Sequence, residues 1–345
     1  MDAREPETER RICHPVERGV MERIRLSNHT FEGANNAYLF ADGPETVLVD
    51  TGDRVPATRE QLTAALADHD VEFADIDRIF LTHWHGDHSG LAGAIQRESD
   101  ADVYVHEADA PLVAGDEAAW TALEERQREF FDSWGMPPAD RAALERFLDD
   151  VTLYDQPPTV TTVADGDTFV VNDTRLEVVH APGHADGLCM FEAGAEVLTG
   201  DALLPEYTPN VGGADIRVER PLAKYLDTLA AIVAADYDRA WPGHRIPIDD
   251  PAARAEHIID HHEERSYRVL EAVERLAPCD VWSVSADLFG SLEGIHIIHG
   301  PGEAYAHLDH LECMGAVTQA DGAYRLADGT AGRLDAIEEE RWELT

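Results

Sequence analysis

The sequence has few cysteines and no long apolar run. Its four cysteines stand far apart, at Cys13, Cys189, Cys279 and Cys313. They form no Cys-x-x-Cys pair, which argues against a disulfide scaffold and against a cysteine-ligated zinc site. The chain contains no run of about 18 apolar residues, the length that a membrane-spanning helix needs. Its charged first ten residues lack an apolar segment, so we expect no secretory signal and a cytoplasmic location.

Positive charge is also scarce. The 345 residues include 69 acidic and 27 basic side chains, a net charge of −42, and Lys224 is the only lysine. An acid excess with lysine depletion is typical of proteins from a salt-loaded cytosol, because salt screens self-repulsion and carboxylates keep the surface hydrated. We therefore interpret the chain as halophilic, and the alternative is a strongly acidic protein from a low-salt cell. In either case the field of the whole protein repels phosphate backbones.

The chain nevertheless holds enough apolar residues for a substantial core. They make up 44% of it, which excludes a disordered acidic chain. Strand and helix patterns alternate through the first two thirds, and a long amphipathic helix pattern follows over 254–277. We predict a catalytic domain over 1–250, with a helical insertion at about 117–150, and a C-terminal domain over 251–345. The insertion is expected to form part of the helical core, a dimer contact or an apolar wall over the catalytic site.

Local signals place several element boundaries. Thr58 and Gln61 form a capping-box pattern, so a helix is predicted to begin at Thr58. Another helix is predicted over 302–314. The turn sequence Asp321-Gly322 between two short strand patterns, 316–318 and 323–326, predicts a hairpin. Helix, helix and hairpin at this size resemble a winged-helix unit. The histidines of this region show no ligand spacing; they are His296, His299, His307 and His310.

The strongest chemical signal is the segment 82–88, THWHGDH, directly after a short apolar run. Four potential metal ligands occur within six residues, and imidazole and carboxylate are ligands that suit zinc and similar divalent ions. His83 and His85 are two residues apart, so in extended backbone they point the same way. Asp87 and His88 follow at once and can face another direction, toward a second ion.

Three further polar residues follow later strand patterns. His184 and His244 each stand in a Pro-Gly-His sequence, and Asp201 follows Thr199-Gly200. A ligand at the end of a strand, beside glycine, is rigidly held and leaves room for a metal and a substrate. Taken singly, each could be an ordinary turn or surface residue. Together, in this order and in these contexts, they predict a metal centre.

The motifs HxHxDH, PGH, GD and PGH, in this order, resemble the metallo-β-lactamase superfamily in its hydrolytic branch. The resemblance covers roughly residues 20–250. It implies an α+β fold, a four-layer αββα sandwich with the metals at one edge of its two sheets. Two Zn²⁺ ions per chain are expected, with iron or manganese as alternatives. The ligands implied are His83, His85 and His184 for one ion, Asp87, His88 and His244 for the other, and Asp201 as the bridge.

The sequence Leu-Val-Asp-Thr-Gly at 48–52 matches the first motif of the same superfamily. The resemblance makes Asp50 an outer residue that orients the ligand cluster, as carboxylates do for metal-bound imidazoles. An ordinary strand-end turn is the alternative. We assign Asp50, Asp87 and Asp201 to catalysis. His85 stands where the diiron electron-transfer branch has glutamate, which argues against that branch.

The charge of such a cluster favours a hydrolase. Two divalent ions, two aspartates and a bridging hydroxide sum to about +1, in a chain of −42. A cationic cluster generates hydroxide near neutral pH and stabilises the oxyanion that forms when hydroxide attacks a carbonyl or phosphoryl centre. The expected mechanism is attack by the metal-bridging hydroxide. The sequence contains no Gly-x-Ser-x-Gly nucleophile motif.

The C-terminal region bears on the substrate. The segment 260–265, DHHEER, before the winged-helix pattern resembles the subgroup that contains a mitochondrial β-lactamase-like endoribonuclease. Related chains include thioesterases and glyoxalase II-like proteins. Residues 280–345 hold 13 acids and three bases, a net charge of −10, whereas nucleic-acid affinity depends on neutralising phosphates. We therefore predict a small-molecule substrate, no membrane partner and no nucleic-acid partner, with a homodimer as an option.

Three functions stay open at this point. The first is a thioester or ester hydrolase of the glyoxalase II type. The second is a single-strand endoribonuclease, suggested by the same pairing of domains, and the third is a lactone or β-lactam hydrolase. A non-enzymatic regulator that binds DNA through the winged helix is the most distant alternative.

Overall fold

The computed structural model describes residues 21–28, 33–150, 156–335, 342 and 344–345. Cys13 lies outside the described residues, as does the N-terminal segment on which the signal-peptide prediction rests. The three cysteines within them, Cys189, Cys279 and Cys313, are free thiols. No helix of the described part is both long and apolar enough to cross a membrane.

Two mixed sheets form the centre of the fold, and a two-stranded hairpin lies near the C-terminus. The strands of the first sheet pair in chain order and are β1 (Glu22–Leu26), β2 (Asn35–Phe40), β3 (Val47–Val49), β4 (Arg78–Phe80), β5 (Asp102–His106) and β6 (Val160–Val163). The second sheet has the order β11-β10-β9-β8-β7, with β7 (Thr168–Val171), β8 (Thr174–His180), β9 (Cys189–Ala193), β10 (Glu196–Gly200) and β11 (Arg239–Pro242). The hairpin pairs β12 (Val317–Ala320) with β13 (Ala323–Leu326).

The helices cover the sheets and build most of the C-terminal region. Within the described residues they are α1 (Pro56–Ala67), α2 (Gly86–Ser89), α3 (Ala92–Ser99), α4 (Ala110–Val113), α5 (Glu117–Ser133), α6 (Pro138–Asp150), α7 (Pro221–Ala235), α8 (Pro251–Leu276), α9 (Val281–Phe289), α10 (His296–Cys313) and α11 (Thr330–Asp335).

The strands separate two hydrophobic cores, because successive side chains of a strand point to opposite faces. In β2, Phe40 packs in the core between the two sheets, whereas Leu39 packs in the outer core with residues of α1. In β10, Leu198 lies between the sheets and Val197 packs outward with residues of α7. Helices therefore cover the outer face of each sheet, and the predicted four-layer αββα fold is confirmed.

The C-terminal helices pack onto this sandwich rather than apart from it. Helix α8 begins at Pro251 because the Asp250 carboxylate accepts a hydrogen bond from Ala253 N at 2.9 Å, a favourable helix start. Its buried Leu270 and Leu308 of α10 belong to the same outer core as Leu39 of the first sheet. The division at residue 250 stays a prediction, but the two parts share one core.

The predicted insertion consists of α5 and α6, with the break between them at 134–137. Trp134 is buried, and its ring lies 5.7 Å from that of Tyr305 in α10. Trp120 of α5 contacts Trp84, with ring centroids 5.6 Å apart. Trp134, directly after α5, therefore contacts α10, and Trp120 of α5 contacts the histidine segment.

The start of α1 differs from the prediction. The helix begins at Pro56, after Val55, and Thr58 is a buried residue of its first turn. Proline fits the first turn because its ring presets φ and its missing N–H has no partner there. The side chain of Gln61 forms no cap and accepts a hydrogen bond from Ser27 N at 2.8 Å. The capping box was therefore the wrong interpretation of Thr58 and Gln61.

Candidate metal centre

The side chains predicted as ligands come together where strands of both sheets end. The loop after β4 and the short helix α2 carry the first four, and the loops after β8, β10 and β11 carry the others. The donor atoms of three groups lie within 4.8 Å of one another: His83, His85 and His184; Asp87, His88 and His244; and His83, His88 and Asp201. We call the first group the first half-site and the second group the second half-site.

The spacing of the donor atoms suits metal ions. In the first half-site, His85 Nδ1 lies 2.8 Å from His83 Nε2 and 3.1 Å from His184 Nε2. Donors at about 2.1 Å from a tetrahedral ion stand about 3.4 Å apart. The three imidazoles therefore surround a space of the size that one ion fills.

The second half-site is slightly wider. Asp87 Oδ2 lies 3.8 Å from His88 Nε2 and 3.5 Å from His244 Nε2. Asp201 lies between the half-sites, with Oδ2 3.6 Å from His184 Nε2 and 3.4 Å from His244 Nε2. The structure thus places Asp201 where one carboxylate lies close to donors of both half-sites.

Three of these buried donor atoms have no hydrogen-bond partner among the described residues. They are His88 Nε2, His244 Nε2 and Asp201 Oδ1. A buried polar atom without a partner is costly, and native proteins rarely leave one unexplained. Because all three lie in one cluster of imidazoles and carboxylates, the donor set fits a divalent metal.

Outer hydrogen bonds orient the first half-site through main-chain carbonyls. His184 Nδ1 lies 2.9 Å from the carbonyl oxygen of Asn210, and His85 Nε2 lies 3.1 Å from that of Ala214. An N–H donated to a carbonyl leaves the other ring nitrogen free to bind a metal and fixes the ring plane. The short segment 210–214 therefore sets the tautomers of two predicted ligands.

Amide side chains and another carbonyl orient the second half-site. Asn28 Nδ2 and Asn35 Nδ2 each donate to Asp87 Oδ2 at 3.2 Å. His244 Nδ1 lies 3.2 Å from the carbonyl oxygen of Gly33. These supports come from Asn35 at the start of β2 and from residues just after β1 and just before β2, far in sequence from those of the first half-site.

Asp50 connects the two half-sites. Its Oδ2 lies 2.9 Å from His88 Nδ1 and accepts a hydrogen bond from Thr82 Oγ1 at 2.9 Å, while Oδ1 accepts from Thr82 N. Thr82 Oγ1 in turn lies 3.0 Å from His83 Nδ1. Asp50 also adopts φ 58°, a strained conformation for a non-glycine residue. The residue therefore holds one imidazole of each half-site.

Gly243 explains the glycine of the second Pro-Gly-His motif. A Cβ at this position would lie 2.6 Å from His88 Cε1 and would also overlap Asp201 Oδ1. Any other residue would displace two donors of the cluster.

The surroundings of the donors set their protonation. Burial, followed by the nearby His184, lowers the pKa of His85 to about 4, so this imidazole is neutral at neutral pH. Burial opposes ionisation of Asp201, but His244 and His88 hold its pKa well below the usual value. For His88, burial is outweighed by Asp201 and Asp87, which raise its pKa well above the usual value. A metal that binds there must therefore displace a proton.

A buried ionic network behind His83 and His85 was not predicted from the sequence. Asp109 Oδ2 accepts a hydrogen bond from Trp84 N at 3.0 Å, and Asp215 Oδ2 accepts one from Trp84 Nε1 at 3.2 Å. Arg217 contacts both carboxylates at 2.6 Å. The network fixes the residue between two predicted ligands, but its members stand alone in the sequence without a motif.

The C-terminal region contains a buried cluster of histidines and one glutamate that was not predicted from the sequence. His262 of α8 forms a buried cluster with Glu303 and His307 of α10. The main chain of His299 accepts a hydrogen bond from Asn210 Nδ2 beside the first half-site, and burial, followed by the nearby His184, lowers the pKa of its imidazole to about 3. The spacing of Glu303 and His307 is visible in the sequence, but their partner lies on another helix.

The chain is similar to known proteins of the family that its ligand motifs resemble. A family model described as the metallo-beta-lactamase superfamily matches residues 30–244, more than half of the chain. The lactamase-like protein vrtG of Penicillium aethiopicum is 27% identical over 240 residues, which cover 69% of this chain. The atrochrysone carboxyl ACP thioesterase of Aspergillus chevalieri is 25% identical over 240 residues, also 69% of this chain. The chain spans 60% of the length of each of these two fungal proteins.

Solved structures extend the likeness over more of the chain. A metallo-beta-lactamase family protein of Thermus thermophilus superimposes with a TM-score of 0.76 and is 29% identical. The superposition covers 89% of this chain and 98% of that one, so it includes most of the C-terminal region.

Proposed function

The chain belongs to the metallo-beta-lactamase superfamily, and we propose that it is a hydrolase that holds two divalent ions and cleaves thioesters or esters. The observation that carries this proposal is the set of seven donors with three buried, unpartnered atoms inside it. The first half-site would hold one ion and the second half-site the other, with Asp201 shared between them. Zinc is the proposed metal, with iron or manganese as alternatives.

The protein's own residues prepare this centre for hydrolysis. Divalent ions bound in such a site polarise a carbonyl and lower the pKa of water to about 7. Asp87 and Asp201 bring negative charge into a buried position, and outer hydrogen bonds hold the imidazoles in their binding tautomers. We assign Asp87 and Asp201 to the reacting centre. Asp50 acts through His88 and Thr82 as a positioning residue.

Charge and shape favour an acyl substrate over a polyanion. The chain carries a net charge of −42, and residues 280–345 alone carry −10, so phosphate-rich ligands are repelled. Trp84 and Trp120 place aromatic surface next to His85. A thiolate leaves readily without a dedicated general acid, and one of the similar proteins is named a thioesterase. We therefore propose a small thioester or ester, and no nucleic-acid partner.

Metal content tests the first part of the proposal. Elemental analysis of protein purified without a chelator is expected to approach two metal ions per chain. The double variant His85→Ala/His244→Ala lacks one imidazole of each half-site and serves as the control. A wild-type value near zero that reconstitution does not raise would exclude the binuclear centre.

A substrate panel tests the second part. Metal-loaded protein is assayed in multimolar KCl, because a halophilic chain needs salt to offset its charge. A generic acyl thioester is expected to be hydrolysed with a kcat/KM at least roughly tenfold above that for RNA, a gap of about 1.4 kcal/mol. Lactones and a β-lactam complete the panel. Efficient RNA cleavage that His85→Ala abolishes would favour the endoribonuclease instead.

A further inference from the structure

Two of the three outward-facing imidazole nitrogens of the first half-site contact one short segment, 210–214. His184 Nδ1 faces the carbonyl of Asn210, and His85 Nε2 faces the carbonyl of Ala214. Main-chain carbonyls cannot adjust as side chains do, so the position of the segment 210–214 decides the orientation of both rings. What holds this segment in place is therefore relevant to metal binding.

The segment is fastened to α10. Asn210 Nδ2 donates to the carbonyl of His299 at 2.9 Å and to Glu303 Oε2 at 3.3 Å. The same carboxylate oxygen accepts a hydrogen bond from Val211 N at 3.2 Å. Glu303 is only 4% exposed, and its other oxygen accepts from Arg265 Nη1 of α8 at 3.0 Å. One buried carboxylate thus ties two C-terminal helices to the segment.

The contact between the segment and α10 leaves no space for adjustment. A Cβ at Gly302 would overlap the Gly213 backbone, and a Cβ at Gly212 would lie 2.6 Å from the Gly302 carbonyl oxygen. The two backbones touch directly. A shift of α10 relative to the sandwich must therefore move the carbonyls that orient His184 and His85.

We propose that Glu303 is a positioning residue for the first half-site, through which the C-terminal helices set the geometry of one metal position. The proposal rests on the proposed function, because it requires that a metal binds there. Glu303 touches no predicted ligand itself. It acts through Asn210 and Val211, whose positions it fixes.

The same carboxylate lies in a second group of metal-binding side chains, which offers a competing interpretation. His262 Nδ1 lies 3.3 Å from His307 Nε2 and 3.8 Å from Glu303 Oε1. His307 Nδ1, however, lies 2.8 Å from the carbonyl of Glu303, so hydrogen bonds account for both ring nitrogens of His307. The guanidinium of Arg265 on the same carboxylate also opposes a cation. We therefore interpret the group as the anchor of Glu303.

Two substitutions of Glu303 test the proposal in the full chain. Zn²⁺ binding is measured by competition with a chelator in high salt, with wild-type protein in the same titration. Glu303→Ala is expected to weaken one of the two ions by about 10–100-fold, the range for loss of an outer partner, and to leave the other unchanged. Glu303→Gln keeps an oxygen that can accept from Val211 N, so it is expected to recover part of the loss.

Leu311→Ala is the matched control. Leu311 is a buried residue of α10 about two turns beyond Glu303, and its truncation lowers stability by removing packing. Unfolding curves of the metal-free proteins give the stability of each variant. We expect Leu311→Ala to bind both ions as wild type does, even where its stability falls as far as that of Glu303→Ala.

The outcomes separate the two proposals. Wild type that binds no ion would overturn the proposed function and this inference together. If wild type binds two ions and Glu303→Ala binds both with wild-type affinity, the inference alone is overturned. It is also overturned if Leu311→Ala loses as much metal affinity as Glu303→Ala. A third ion in wild type that His307→Ala removes would show that Glu303 serves a metal site of its own. Weakening of one ion in Glu303→Ala, with partial recovery in Glu303→Gln, supports the inference.

Discussion

The two half-sites use similar ligands but are supported by different parts of the chain. The first is held by the segment 210–214, which is in turn fastened to α10. The second is held by residues at the ends of the N-terminal strands, Asn28, Gly33 and Asn35. The difference teaches that one metal centre can depend on two separately packed regions. Damage to either region should therefore affect one metal position more than the other.

Asp201 and Asp50 are the exceptions to this separation, since each contacts donors or supports on both sides. Asp201 is a donor between the half-sites, whereas Asp50 acts on His88 directly and on His83 through Thr82. Substitutions at these two residues should affect both halves. These substitutions should therefore have the largest effects among those that test whether the two half-sites are supported separately.

Asp201→Ala is expected to have the largest effect. It removes the shared carboxylate, so the cluster loses one negative charge and a donor for both ions. We expect both ions to bind more weakly and kcat/KM to fall by more than about 100-fold, the upper range for loss of an outer partner. Metal analysis and steady-state kinetics of the same preparation measure both quantities. A variant that kept both ions and the wild-type rate would show that Asp201 is no shared ligand.

Asp50→Ala is expected to have the next largest effect. The substitution removes the acceptor for His88 Nδ1 and Thr82, so one imidazole in each half-site loses its orientation. We expect metal affinity and kcat/KM to fall by about 10–100-fold, less than for Asp201→Ala. Asp68→Ala, at an exposed acid of the same charge, is the control. A loss as large as that of Asp201→Ala would mean that Asp50 takes part in the reaction itself.

The sequence predicts the ligands of this centre better than their supports. His83, His85, Asp87 and His88 stand in one short motif after a strand, so residue type and spacing both carry information. Main-chain carbonyls such as that of Asn210 carry none, because every residue has one. Glu303 lies far along the chain from the segment that it holds, and only the packing of α10 brings them together. Sequence reasoning therefore finds the donors and one orienting residue, Asp50, but misses the main-chain carbonyls and Glu303.

The strands and helices, like the metal centre, were predicted only in part from the sequence. Short apolar runs indicate strands such as β4, and β12 and β13 meet at Asp321-Gly322 as the turn signature predicts. Helix α10 begins at His296 rather than at the predicted 302, and Pro301 lies inside it. Glycine and proline in a row normally indicate a break. Here Gly302 is required because it touches the backbone of Gly213, a tertiary contact that no local pattern reveals.

Asn35→Ala is expected to have the smallest effect, and it tests the separation from the N-terminal side. The substitution removes one of two amide donors to Asp87 and leaves the other, Asn28. We expect the ion of the second half-site to bind no more than about tenfold more weakly, the low end for an outer partner, with the other ion unchanged. Asn172→Ala, whose side chain bonds the backbone of Glu45 instead, is the control.

The combination of Asn35→Ala with Glu303→Ala completes this test. Asn35 acts on Asp87 and Asn28, whereas Glu303 acts on Asn210, Val211 and Arg265, so the two share no partner in these hydrogen bonds. Effects at sites without shared partners are additive within about 0.5 kcal/mol. Each ion of the double variant should therefore bind as in the corresponding single variant. If either ion binds more weakly in the double variant than in its single variant, the half-sites are coupled. Asp201, which contacts donors of both half-sites, would then be the residue that couples them.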